Sequence, residues 1–307
     1  MAVEVSLASL TKSSISQYNH GLKLWWDFCV GNKFDPFILN FNNILSFLSD
    51  LFNRGFSYSN LNTVRSALSL ILSPEVGSDA RIKRFFRGVF KLRPSSPKYK
   101  HTWDPTIVLS HLSTYYPNQD LSLEQLTRKL VTLLILITAH RVQTLSLIRV
   151  KNIILNEDKI QIRIPDRIKT SGPKSFQPIL EIPFFHEKPA LCVASTLQHY
   201  LGRTETLRTP MISNLFITFR KPHKTASTQS ISRWIKSTLA ECGIDTKIFT
   251  AHSTRHAATS MAARKGVSLD VIRNTAGWSA SSRVFAQFYN RPVLEEQSVA
   301  NAILGLL

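Results

Sequence analysis

Four residues near the C-terminal end carry side chains suited to handling one phosphate: His252, Arg255, Trp278 and Tyr289. His252 and Arg255 stand three apart in Thr250-Ala-His-Ser-Thr-Arg255, so on a helix they share a face. A guanidinium stays charged and can present two donors to two phosphate oxygens. An imidazole can donate to a phosphate oxygen or handle a proton near neutral pH. The Trp278 indole N–H donates one hydrogen bond and cannot shuttle a proton. Tyr289 supplies a phenol, and no other Tyr follows Trp278. A second guanidinium, Arg141, comes just after a strongly apolar stretch, where a cation needs a reason. Each group also has a plainer reading. The arginines can be surface or carboxylate-paired, His252 can be an isolated histidine, and Tyr289 can pack with Phe285 and Phe288. His256 reads as structural.

The bulk properties favour a polyanionic partner. The 307 residues are enough for two domains with a sizeable core, and 43% are hydrophobic, which places most of the chain in a globular class. The formal net charge is +18. It is spread over the chain, with 12 Lys/Arg against 6 Asp/Glu in residues 1–98 and 26 against 14 in residues 99–307. That spread fits two basic modules on nucleic acid better than one juxtamembrane cluster. Cys29, Cys192 and Cys242 are far apart and show no zinc-binding spacing, which predicts reduced thiols in an intracellular protein. No carboxylate cluster near these residues would hold a metal, so neither metal nor other cofactor is expected. No run of about 18 apolar residues and no secretory leader are read from the sequence, which predicts a protein neither membrane-embedded nor secreted.

The elements that must position these groups follow from periodicity. Ile15, Tyr18, Leu22, Trp25 and Trp26 fall at helical spacing from about Ser14, and Gly31-Asn32 ends that helix. Further helices are predicted at about Asn42–Arg54, Ser59–Leu72 and Asp79–Leu92. The last carries Lys83, Arg84, Arg87 and Lys91 among apolar residues. That basic face is either a phosphate-contacting surface or a plain solvated one. Residues 93–102, rich in Pro, Ser and cations, read as a basic interdomain linker. The predicted division is therefore an all-α domain over residues 1–98 and a second domain over residues 103–307.

In the second part, Pro105–Tyr115 and Leu121–Thr138 read as helices, the latter as a core helix. Lys159–Ile164 alternates as a strand, and Gln177–Phe184 returns after the turn Ile168-Lys-Thr-Ser-Gly-Pro-Lys174. Helices are predicted at Pro189–Leu201, Gln229–Cys242, Thr254–Lys265 and Ser268–Thr275, with a short extended piece at Leu215–Thr218. The tail Leu294–Leu307 places Val299, Ile303 and Leu307 on one helical face.

The segment His252-Ser-Thr-Arg-His through Ala276-Gly-Trp278 resembles the tyrosine recombinase/phage integrase signature. In that signature an H-x-x-R motif opens a helix, a Gly-Val turn and short helix end in Gly-Trp or Gly-His, and a Tyr follows. Thr138-Ala-His-Arg-Val-Gln-Thr-Leu145 looks like the family's first Arg segment. The resemblance covers nearly the whole chain, because the N-terminal helical unit is similar to the family's SAM-like core-binding domain. The fold it implies is mainly α with a small β-sheet, with an all-α core-binding domain before a mixed α/β catalytic domain. The Arg-Val-Gln-Thr-Leu form and the Trp-rich first helix look more like eukaryotic mobile-element versions of DIRS or Crypton type.

The resemblance implies a site-specific DNA recombinase or integrase working through a covalent 3′-phosphotyrosine. Arg141 and Arg255 would clamp the non-bridging oxygens, with His252 and Trp278 assisting. Tyr289 would be the nucleophile. The lysine acid would be Lys169, or alternatively Lys174. Double-stranded DNA is the expected partner, with a homotetramer on two sites joined through the C-terminal helix. Residence would be nuclear in a eukaryote and cytoplasmic otherwise. The alternatives are a catalytically inactive DNA-binding derivative of a mobile element and a type IB topoisomerase-like enzyme. Three departures stand out. Thr144 replaces the usual Glu, Ala139 replaces the usual Gly, and the interval from Trp278 to Tyr289 is slightly longer than common.

Overall fold

The computed structural model describes residues 1, 4–5, 8–94, 99, 101–172 and 177–278. The chain divides into two compact units, Met1–Pro97 and Lys98–Leu307.

The first unit holds five described helices: α1 (Lys12–Asn32), α2 (Phe41–Asn53), α3 (Tyr58–Ile71), the single turn α4 (Glu75–Ser78) and α5 (Ala80–Leu92). Their apolar faces meet in a core that includes Trp25, Cys29, Ile44, Phe47, Leu51, Leu61, Leu68, Ile82 and Phe86. The buried stripe of α1 is Gly21, Trp25 and Cys29, while Trp26 of the expected face is half exposed. Trp25 is a safe core residue because its indole N–H donates to the Pro36 carbonyl at 2.9 Å. Gly21 lets α1 approach α3, since a Cβ there would lie 3.1 Å from Val64 Cγ2. The helix α1 runs past Gly31 and stops at Lys33, which takes the left-handed turn with φ 58°. Local periodicity had no signal for α4.

The second unit is organised around α7 (Leu123–Thr138), whose Ser122 and Gln125 form a reciprocal capping box. Its second half is buried on nearly all sides, which is why Leu130–Ile137 is apolar except for Thr132 rather than a stripe. Packed around it are α9 (Val193–Glu205), α10 (Thr228–Glu241) and α11 (Ser253–Arg264). Shorter helices are α6 (Pro105–Ser113), α8 (Val142–Ser146) and α12 (Leu269–Thr275). A three-stranded antiparallel sheet, β1 (Ile153–Leu155), β2 (Lys159–Arg163) and β3 (Ile179–Pro183), runs in the order β1-β2-β3. Ile160 pairs with Ile182 and Ile162 with Leu180, and this buried face joins the core. The fold is mainly helical with one small sheet, as the sequence implies.

Several details differ from the periodicity reading. The strand β1 is short and half exposed, so its Ile-Ile-Leu carries no alternation. Pro189–Leu191 is a separate 3-10 turn, after which Cys192 Sγ accepts from Ser195 N and starts α9. Leu215–Thr218 contributes one isolated bridge, Ile217 to Thr225. Tyr99, read as linker, is 4% exposed, stacks on Phe249 and shares a 2.9 Å hydrogen bond with Thr250 Oγ1. The tail after Trp278 lies outside the described residues.

The start of α5 depends on Asp79, whose carboxylate accepts from Arg81 N at 2.9 Å and Ile82 N at 3.2 Å. Replacing this cap removes partners for two backbone donors. Asp79→Ala should lower stability by about 1 kcal/mol in urea denaturation, with Asp79→Ser recovering most of it.

Candidate active site

The H-x-x-R residues sit at the start of α11, and their surroundings explain the local fold. Thr254 Oγ1 donates to Ala251 O at 2.7 Å and Ser253 Oγ to Thr250 O at 2.7 Å, which close the entry turn. Trp103, buried, donates from Nε1 to Ser253 Oγ at 2.9 Å. Tyr99 and His252 both meet the His256 ring edge-on, with centroids at 5.1 and 5.6 Å. Two aromatic residues just past residue 98 therefore fix the end of the helix that carries His252 and Arg255.

The two motif residues face different environments. His252 is exposed and, with Arg141, lines a cleft of about 370 Å³. Arg141 is half buried at the N-cap of α8. Thr144, which stands in place of the family's Glu, is buried on the same helix. Helix α10 contributes Arg233 and Lys236 to the same lining. No Asp or Glu is among the described residues that line this cleft. Three permanent cations and a titratable imidazole around one opening make a site for an anion with several oxygens, such as a phosphodiester.

Arg255 is only 1% exposed. Its Nη1 donates to the Ala139 carbonyl at 2.6 Å, and its guanidinium carbon lies 4.1 Å from the Trp278 ring centroid. The cation is thus held by a carbonyl dipole and an aromatic face. Ala139 ends α7 in the left-handed region, φ 48°, and so turns its carbonyl toward Arg255. A glycine would adopt this conformation without strain. Ala139, Ile272, Ala276 and Trp278 form a small apolar cluster over this contact.

The turn at the end of α12 brings Trp278 there. Gly277 N donates to Asn274 O at 3.1 Å and Trp278 N to Arg273 O at 2.9 Å, the two crossed bonds of a Schellman ending. Gly277 has φ 64°, and a Cβ on it would come within 2.9 Å of His140 Cε1. His140 itself is buried, 4% exposed, and is pushed down to about 4 by burial first and then by the positive charges of Arg255 and Arg141. It is neutral at pH 7 and fills the space between the first Arg segment and the Gly277 turn.

The structure brings Arg141 and His252 to one cleft and Arg255 to Trp278. Lys169 is exposed in the turn Ile168–Ser171 and is not among the residues lining the cleft. Lys174 and Tyr289 lie outside the described residues. In the first unit Lys83, Arg87 and Lys91 line one groove, whereas Arg84 does not. Sequence reasoning missed Arg233, Lys236 and His140. The first two had a readable signal: they lie three apart on the polar side of a helix whose other side is Ile231, Trp234, Ile235 and Leu239. His140 had none, because one histidine in a turn shows no period.

Two outcomes follow from the Gly277–His140 contact. Gly277→Ala combines a left-handed L-residue with overlap on the His140 ring, so stability should fall by about 2 kcal/mol or more in urea denaturation, with altered indole fluorescence. The depressed His140 pKa also gives a pH dependence. Above pH 6.5 neither folded nor unfolded chain binds the proton. Between 6.5 and 4 only the unfolded chain does, so stability falls as pH falls through this window. The loss approaches roughly 3 kcal/mol near the lower limit. His140→Gln should flatten that part of the stability–pH curve, and an unchanged slope would rule out this origin.

Comparison with known proteins adds the family. The phage integrase family matches residues 111–295, which is more than half of the chain. Among solved structures, the integrase of transposon Tn1549 in complex with transposon right-end DNA superposes with a TM-score of 0.58 at 16% identity, covering 88% of this chain and 85% of that one. A lambda integrase dimer bound to a COC′ core site gives 0.56 at 15% identity, covering 97% and 95%. XerH recombinase in a post-cleavage complex with a palindromic difH substrate gives 0.57 at 15% identity, covering 82% and 68%. At these identities the likeness is one of fold. No curated protein sequence matches the chain. The family match spans both motif segments and the strands between them, and on that basis this chain belongs to the phage integrase family.

Proposed function

We propose that this protein is a tyrosine recombinase that cuts and rejoins duplex DNA at specific sites. The observation that carries the reading is the cleft of Arg141, Arg233, Lys236 and His252, lined by no described carboxylate, with the buried Arg255 one turn along the helix that carries His252 at its start. In the proposed reaction Tyr289 attacks the scissile phosphorus in line. The 5′-oxygen leaves and takes a proton from Lys169, or from Lys174. The DNA is then joined to the protein as a 3′-phosphotyrosine. Arg141 and Arg255 stabilise the extra negative charge on the non-bridging oxygens, and His252 donates to the same phosphate or takes the tyrosine proton. A 5′-hydroxyl of the partner strand reverses the step, so the bond energy is retained and no nucleotide cofactor is needed. Because Arg255 is buried against Trp278, the Trp278 turn must shift for its guanidinium to meet the phosphate.

In this reading residues 1–98 form the core-binding domain, with Lys83, Arg87 and Lys91 on DNA phosphates. Residues 103–307 form the catalytic domain, with Arg233 and Lys236 extending its basic surface. A homotetramer on two duplex sites is supported by an apolar groove of about 210 Å³ lined by Ile137, Ala258, Ala262, Val267, Val271 and Ile272. The segment Leu294–Leu307 of a neighbouring copy, with Val299, Ile303 and Leu307 four apart, is its proposed occupant. The Arg-Val-Gln-Thr-Leu segment and the two tryptophans of α1 favour a eukaryotic mobile-element origin, and with it a nuclear location.

The test is a nicked suicide duplex built from the sequence flanking the coding region. Wild type should give a covalent protein–DNA adduct on a denaturing gel. Tyr289→Phe should abolish the adduct and keep duplex affinity within about twofold, since a single phenolic oxygen contributes little to backbone binding. An adduct that survives Tyr289→Phe overturns the assignment of the nucleophile. Duplex binding without any adduct would favour a catalytically silent derivative.

A further inference from the structure

The first unit holds a groove of about 460 Å³ between α3 and α5 whose chemistry exceeds what a duplex backbone requires. Four cations line it: Arg65 from α3, and Lys83, Arg87 and Lys91 from one face of α5. So do three rings, Tyr58, Phe86 and Phe90. No acidic residue is among the described residues lining it. Phosphates account for the cations, but they do not account for the rings.

The rings are arranged in steps. Phe86 belongs to the core at 3% exposure, and the Arg65 guanidinium lies 4.7 Å from its centroid. Tyr58 meets Phe86 edge-on at 5.4 Å and Phe90 at 6.3 Å, with interplanar angles of 87° and 81°. Phe90 is 51% exposed, and Tyr58 is its ring contact among the described residues. Phe90 is therefore not needed to close the core, which Ile82, Phe86 and Val89 of the same helix already fill. It stands between Arg87 and Lys91 in sequence, on the cationic wall. A half-exposed ring in a basic groove offers a π-face to any planar group brought there by its charge.

Paired bases in duplex DNA are stacked and do not present their faces. An unpaired or displaced base does, and it carries its own phosphate. The groove volume is within the roughly 300–1,000 Å³ typical of small-molecule sites, so it accommodates one nucleotide and not a helix. Stacking on aromatic rings beside a positively charged track is the general means of holding unpaired nucleotides.

We infer that this groove binds a single unstacked nucleotide of DNA, its base on Phe90 and Tyr58 and its flanking phosphates on Lys83, Arg87 and Lys91. The inference rests on the recombinase reading above, in which a cleaved strand released for exchange presents such bases. The groove then discriminates a locally opened duplex from an intact one.

The full chain is tested with three DNAs of one sequence at a fixed low salt concentration: a paired duplex, the duplex carrying one extra unpaired 2-aminopurine, and the single strand. Wild type should bind the bulged duplex about tenfold tighter than the paired duplex, and 2-aminopurine fluorescence should fall on binding to the bulged duplex. Phe90→Ala and Phe90→Leu should both lose the preference and the quench while keeping paired-duplex affinity. Lys91→Ala should weaken all three alike. Equal binding of bulged and paired duplex by wild type, or a preference that persists in Phe90→Ala, overturns the inference and leaves the recombinase reading intact. Binding of none of the three DNAs defeats both.

Discussion

The guanidinium of Arg255, buried to 1% exposure, sets the terms for the face of the second unit around it. A charge removed from water is tolerated only where dipoles or opposite charges replace the lost hydration. Here the Ala139 carbonyl and the Trp278 ring share that role. The three residues come from the end of α7, the first turn of α11 and the end of α12, so one cation ties three segments together. Both ends that meet it do so through left-handed backbone, at Ala139 and Gly277. His140 occupies the remaining space, and its closeness to Gly277 leaves no room for a side chain there. The site is therefore tight on the Arg255 side and open on the Arg141–His252 side.

That asymmetry separates two kinds of cationic work. The groups lining the cleft, Arg141, Arg233, Lys236 and His252, can exchange water for a phosphate as it arrives. Arg255 has already given up most of its water, so its interaction with an anion would be far less screened than theirs. Preorganisation of this kind requires that the surrounding helices be fixed, and the hydrogen bond from Trp103 to Ser253 and that between Tyr99 and Thr250 supply part of it.

Much of this was legible in the sequence, for identifiable reasons. Long helices declare themselves because one face must be apolar, and the buried second half of α7 does so by being apolar almost throughout. The order of Arg141, the hairpin, His252-x-x-Arg255 and Gly277-Trp278 identified the family because each motif is local in the chain. What stayed hidden was non-local or conformational. Tyr99 looks like linker because its partners, Phe249 and Thr250, lie 150 residues away. Arg84 reads like its basic neighbours in the sequence, yet it does not line the groove that Lys83, Arg87 and Lys91 share. Ala139 looks like a conservative replacement for glycine, yet it keeps glycine's backbone conformation. The strand β1 and the single-turn helices are too short to show any period.

With no carboxylate among the described residues lining the cleft, salt acts on this protein in two opposite senses. Arg141, Arg233 and Lys236 repel one another across a shared opening. Added electrolyte screens that repulsion and relaxes the empty form, while the same electrolyte competes with the polyanion for the same groups. The free protein is thus electrostatically frustrated at low ionic strength, and the anion it takes up acts as a missing part of its own charge balance. In the proposed recombinase, DNA would serve the fold as counterion before it serves as substrate.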